Sequence, residues 1–137
     1  MKLTSTKARR GVALGLVIAA ALIGCNSSTA PGIQPEIANL TDNFQFQTSS
    51  LHGGSGSWSY TWQNTGTAAT VNQSCSITGG TATLVVRDSA GIQVYSRNLA
   101  ENGTFVTTAG TTGAWTIEIV FERVFAAAVN FRVQKQT

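Results

Sequence analysis

The chain is 137 residues long, 42% hydrophobic and only 11% charged, with 14 glycines, two prolines and two cysteines. That length holds one small domain, and so low a charge content excludes charge-driven disorder, nucleic-acid arms and long solvated helices. The formal net charge of +3 misleads, because Lys2, Lys7, Arg9 and Arg10 all precede residue 25. The remainder carries Arg87, Arg97, Arg123, Arg132 and Lys135 against Glu36, Asp42, Asp88, Glu101, Glu118 and Glu122, a net charge of −1. No basic stripe is left to neutralise phosphates, so nucleic acid is excluded as a partner.

Residues 1–24 read as an export signal. The basic stretch Lys2–Arg10 is followed by an apolar run, Gly11–Gly24, of 14 residues. A stable membrane-spanning helix needs roughly 20 residues, whereas a signal-peptide core is shorter. The run closes in Leu22-Ile23-Gly24-Cys25, which resembles the lipobox of bacterial lipoproteins. In that family the cysteine receives a diacylglyceryl group, the leader is cut just before it, and the new amino terminus is acylated, as with palmitate. The resemblance therefore implies that Leu22, Ile23 and Gly24 are the signal-peptidase recognition residues and Cys25 the lipidated one. Two or three acyl chains, at about 0.8 kcal/mol per buried methylene, hold a protein at a bilayer almost permanently. Asn26 rather than Asp follows the cysteine, and the family's enterobacterial sorting rule then implies the outer membrane.

Residues 25–40 are expected to form the lipidated terminus and a flexible tether. Pro31 and Pro35 lie here among small polar residues, a composition that buries too little apolar surface to order itself. Fully extended, it would reach about 50 Å. Ile37 and Leu40 stand where a first strand could already begin, and the domain proper is expected over 41–137.

From there hydrophobic residues recur with a period of two, the signature of half-buried strands. Phe44 and Phe46 alternate with Asn43, Gln45 and Gln47, and Trp58, Tyr60 and Trp62 alternate with Ser57, Ser59, Thr61 and Gln63. Val71, Cys75 and Ile77 share one parity, as do Ala82, Leu84 and Val86. Ile92 and Val94 follow, then a short strand at Phe105, the set Trp115, Ile117, Ile119 and Phe121, and finally Val129, Phe131 and Val133. Turn residues separate these runs at His52–Gly56, Thr65-Gly66, Gly79-Gly80, Asp88–Gly91, Glu101–Gly103 and Ala109–Gly113. The pattern predicts an all-β domain, a single small antiparallel β-sandwich of about seven or eight strands, Ig-like or jelly-roll-like in architecture. A helical turn is expected only within Phe121–Val129, as the connection of a last hairpin. Around Asp88–Gly91, a hairpin pairing Leu84 and Val86 with Ile92 and Val94 would place four aliphatic side chains on one face. The Asp88–Tyr95 strand-turn-strand, the Gly113-Ala-Trp-Thr-Ile-Glu-Ile119 run and the Asn130–Val133 strand are together similar to small secreted sandwich domains of the pre-peptidase C-terminal type. That likeness is architectural and implies no catalytic residue.

Chemistry is sparse. His52 is the sole histidine, it sits beside Gly53-Gly54, and no Gly-x-Ser-x-Gly elbow supplies a nucleophile. His52 and Cys75 are too few to ligate zinc, and no calcium loop of the Asp-x-Asp-x-Asp-Gly kind occurs. Glu118 and Glu122 share a strand face but lie about 13 Å apart, beyond the working separation of glycosidase carboxylates. They read as a solvent-facing edge. No cofactor, metal or catalytic residue is expected, and the chain is not expected to be an enzyme. Cys75 is expected to be a buried, inert thiol. Trp58, Tyr60 and Trp62 are the candidate ligand platform, three rings on one face that could stack sugars. The competing expectation, that they form the core, is favoured because the alternative buries four small polar residues.

These readings lead to a non-catalytic, membrane-anchored envelope lipoprotein, periplasmic or surface-exposed, with a structural or protein-interaction role. Its expected partners are the membrane and another envelope protein. The alternative is a carbohydrate- or other ligand-binding module using loops at one end, such as 52–57 and 109–114.

Overall fold

In the computed structural model, residues 35–137 are described. The lipobox residues Leu22, Ile23, Gly24 and Cys25 lie outside the described residues. The described residues are all-β, with eight strands: β1 Glu36–Leu40, β2 Asn43–Asn64, β3 Ala69–Gln73, β4 Ser76–Thr78, β5 Thr81–Arg87, β6 Gln93–Asn98, β7 Gly103–Val106 and β8 Gly113–Lys135. All pairings are antiparallel, and they form one sheet.

The frame is the β2–β8 ribbon, 22 and 23 residues long, paired from Asn43↔Gln134 to Asn64↔Gly113. Sequence periodicity divides each of these strands in two, with a turn at His52–Gly56 and a helical turn within Phe121–Val129. Neither break exists. Both segments stay extended and the ribbon bends instead, with register shifts between Thr48 and Leu51 and between Gly54 and Gly56. At the bend Gly53, Gly54 and Gly56 have positive φ, and Arg123 on β8 has φ 52°. Glycine reaches this region without a Cβ clash, and bulges bend a strand without ending it.

Bending folds the sheet over itself into two layers. One holds β1, the first half of β2, the second half of β8, β3 and β7; the other holds the second half of β2, the first half of β8, β5 and β6. Opposite halves of the same strand therefore meet face to face. The Phe44 and Tyr60 rings lie 5.5 Å apart, Phe46 and Trp58 5.4 Å, and Phe131 stacks on Phe46 at 5.4 Å. Trp62 and Trp115 meet edge to face at 5.9 Å near the open end. Such ring pairs add about 0.5–1.5 kcal/mol each beyond their buried area.

Two further expectations are corrected. The domain begins at β1, inside the stretch expected as tether: Glu36–Leu40 pairs with Gln47–Asn43. All five of its residues are exposed, so backbone pairing rather than burial holds it and no periodicity announces it. Asn39 Nδ2 also donates to the Thr61 carbonyl at 2.9 Å, and Trp62 Nε1 donates to the Leu40 carbonyl at 3.0 Å. In the β5–β6 hairpin a register shift after Val86 pairs Val86 with Tyr95 and Leu84 with Arg97. Val94 and Tyr95 are consequently buried, and Ile92 is 61% exposed.

Gly80 and Gly91 both have positive φ, 59° and 82°. A Cβ at Gly80 would stand 2.1 Å from the Glu122 carbonyl oxygen, whereas one at Gly91 meets nothing within 4 Å. Gly91→Ala is expected to lose only about 1 kcal/mol, the cost of the left-handed backbone. Gly80→Ala should lose several times as much, because the β4–β5 turn must move off β8. Urea denaturation of both variants measures the difference.

Candidate functional site

The three platform residues face inward. Trp62 is fully buried, and Trp58 and Tyr60 are half-buried against Phe44, Phe46 and Phe121. No open three-ring surface exists for a sugar to stack on. The two candidate loops also part company: residues 52–57 lie at the bend, while 109–114 lead into β8 at the open end, where Gly113 pairs with Asn64.

His52 is exposed at the bend, with Nε2 3.2 Å from Ser50 Oγ. It belongs to a shallow basin of about 210 Å³ lined by Ser49, Ser50, Leu51, His52, Ser76, Thr78 and Ala126–Ala128. Glu118 is not on an edge, since β8 runs through the middle of the sheet. Its carboxylate accepts from Arg87 Nη1 at 3.0 Å, on the neighbouring strand β5. Glu122 is exposed near the bend. Among the described residues no three His, Cys, Asp or Glu side chains gather as a metal site would need.

Cys75 is buried and has no disulfide partner among the described residues. Its Sγ lies 3.5 Å from the Asn130 carbonyl oxygen and 3.4 Å from the Asn130 amide nitrogen. Burial pushes the thiol pKa up, against smaller opposing effects of the Asn130 and Ser74 backbone, so the nucleophilic thiolate is disfavoured.

Burial also raises the Tyr60 hydroxyl; the other displaced pKa values belong to Asp88, Asp42 and Tyr95, whose hydrogen-bond networks hold loops. Asp88 accepts from the backbone N–H groups of Thr111 (2.8 Å), Ile92 (2.9 Å) and Ala90 (3.0 Å). These bonds, that from Thr111 foremost, hold its carboxyl below the usual range. At the same end Asp42 accepts from the N–H and hydroxyl of Thr65, which lower its pKa in that order, with Lys135 contributing less. Gln73, buried in β3, donates Nε2 to the carbonyls of Asn98 (3.2 Å) and Glu101 (2.9 Å) and accepts from the Tyr95 hydroxyl at 2.6 Å. Burial pushes Tyr95 up to about 12.

A second basin lies on the outer face of the β1–β2–β8–β3–β7 layer. It is also about 210 Å³ and is lined by Gln45, Asn72, Ser74, Asn130 and Arg132. Gln45, Arg132, Asn72 and Thr104 stand side by side on β2, β8, β3 and β7. Arg132 Nη2 donates to Gln45 Oε1 at 3.3 Å, and Asn72 Nδ2 donates to Thr104 Oγ1 at 3.1 Å. Sequence reading missed this cluster. Its only signal is parity, each residue sitting opposite a core neighbour such as Phe44, Val71 or Phe131; the pairing that gathers four strands is invisible in one sequence.

No family model matches the chain, and no curated protein sequence does. Among solved structures it is similar to a chain in the crystal structure of accessory secretory protein 1,2 and 3 in Streptococcus pneumoniae. The identity is 9% and the TM-score 0.39, over 85% of this chain and 100% of that one. It is also similar to the structure of infectious bursal disease virus Gx strain, at 13% identity and TM-score 0.31, over 85% of this chain and 38% of that chain. Likenesses of this size assign neither family nor activity.

Because the folded Asp88 carboxyl lies below the usual value of 3.8, its stabilising effect is present above that value and disappears as pH falls through the folded one. Asp88→Asn should lower Tm at neutral pH and flatten the acid limb of a Tm-against-pH curve. Tyr95 behaves oppositely: its contribution is complete below about 10, the ordinary tyrosine value, and is lost as pH rises toward about 12. Tyr95→Phe removes that alkaline slope and, by orphaning Gln73 Oε1, costs about 1–3 kcal/mol at neutral pH.

Proposed function

We propose that this chain is a lipid-anchored protein of a bacterial cell envelope, released to the outer membrane, whose β-sandwich has a non-catalytic structural or protein-interaction role. One observation carries the reading: the basic stretch Lys2–Arg10, the apolar run Gly11–Gly24 and Cys25 follow one another in the order and spacing of a lipoprotein leader.

The way the chain enters the sandwich supports it. With β1 starting at Glu36, only residues 26–35 separate Cys25 from the sheet, a reach of about 35 Å at full extension. Glu36 pairs with Gln47, next to the bend, so an anchored domain would turn its bend end toward the bilayer. An interaction role draws support from β1, β6 and β7, each paired along one side only among the described residues. Unpaired strand edges accept a strand from a partner.

Expression of the full chain in a Gram-negative bacterium tests the anchor. The mature protein is expected in the membrane fraction with the mass of a diacylglyceryl-cysteine amino terminus, and Cys25→Ser is expected to abolish both. A mature protein with a free Cys25 thiol, or cut elsewhere, would overturn the anchor. A photo-crosslinking residue at Ala38, on the outer edge of β1, should give one discrete adduct in cells; no adduct would remove the interaction role and leave the anchor standing.

A further inference from the structure

The basin over Arg132 holds a cation with no carboxylate partner. Of the five cations among the described residues, Arg87, Arg97 and Lys135 have carboxylate partners within 4.0 Å. Arg123, at the bend, and Arg132, on the central strand of its layer, have none, and of these two only Arg132 lines a basin, its one side-chain bond being to the neutral Gln45. Its neighbours in the basin, Gln45, Asn72, Ser74 and Asn130, are uncharged groups that both donate and accept.

We infer that this basin binds an acidic saccharide, with a sugar carboxylate on the Arg132 guanidinium and sugar hydroxyls on the surrounding amides. The guanidinium asks for an anion, and its fork matches a carboxylate. The carboxamides decide against a bare anion. Gln45 Oε1 is turned to Arg132, and Asn72 spends one N–H of Nδ2 on Thr104, so the carboxamides of Asn72 and Asn130 still have both acceptors and donors to satisfy. An isolated carboxylate has no hydrogen to offer an amide oxygen, and inorganic phosphate at neutral pH has only one or two hydroxyls. A hydroxyl donates to the amide oxygens and accepts from the amide nitrogens, and a uronic acid carries several hydroxyls beside its one charge.

The rings beneath the basin are on the other side of this layer: Phe44, Phe46 and Phe131 all point inward. The site therefore holds its ligand by polar contacts without stacking, and its openness keeps affinity in the millimolar range, about −4 kcal/mol. This site differs in place and mode from the aromatic platform and from either loop, and it stands whether or not Cys25 is lipidated.

The test is side-chain amide NMR on the full chain in detergent solution, titrated with oligogalacturonate, with a neutral galactose oligomer and with inorganic phosphate. Oligogalacturonate should shift the Gln45, Asn72 and Asn130 amide resonances. The neutral oligomer should bind at least about ten-fold more weakly, the share of one charge-assisted bond. Arg132→Gln, an exposed change expected to leave Tm unaltered, should weaken oligogalacturonate to the same degree. Three outcomes would each overturn the assignment: no shifts at tens of millimolar, equal binding by the Arg132→Gln protein, or phosphate matching the oligosaccharide in affinity and in the resonances moved.

Discussion

Everything in this fold follows from the bend in one two-stranded ribbon. β2 and β8 are each long enough to serve both layers, so the core is made when the ribbon closes on itself rather than when two separate sheets dock. The closure is symmetric about the bend: Phe44 meets Tyr60 and Phe46 meets Trp58, residues nearly equidistant from His52. Aromatic content on the inner face of both halves drives the closure. Backbone at Gly53, Gly54, Gly56 and Arg123 permits it. The open end is tied by charge and hydrogen bonds, with Asp42 linking the β1–β2 turn to Thr65 and to Lys135 at the end of β8.

Which side chains face inward was legible in the sequence, because alternation depends on the pleat alone. Phe44, Phe46, Trp62, Ala82, Leu84, Val86, Trp115, Ile117, Ile119, Phe121, Val129, Phe131 and Val133 all lie in the core. Where strands end was less legible. A cluster such as His52–Gly56 has the composition of a turn, and glycine is equally at home in a turn and in a bulge; the choice is made by β8, which supplies a continuous partner from far along the chain. Phe121–Val129 looked helical for the complementary reason, since a bulge at Arg123 breaks parity as one helical turn would. Ile92 was misplaced by a single-residue register shift, which moves side chains to the opposite face. β1 gave no pattern because it buries nothing.

The polar residues divide by the same geometry. Among those facing inward Gln73 is fully engaged: it satisfies two carbonyls and Tyr95, as a buried amide must to avoid a desolvation penalty. Those facing outward on the β8 side are free to serve something else, and the row Gln45, Arg132, Asn72 and Thr104 is where they are densest. Neither the row nor the basin could be read from spacing, since Gln45 and Arg132 become neighbours only through the β2–β8 register.

That register has a kinetic consequence. β2 begins by pairing Asn43 with Gln134, so the earliest strand of the ribbon waits for almost the last residues of the chain. Contacts this distant in sequence close slowly. A polypeptide threaded through a translocation pore from its amino terminus could assemble neither layer in transit. Until the final strand emerged, Phe46 would lack Phe131 and β2 its main partner, which would leave such a chain dependent on protection from aggregation.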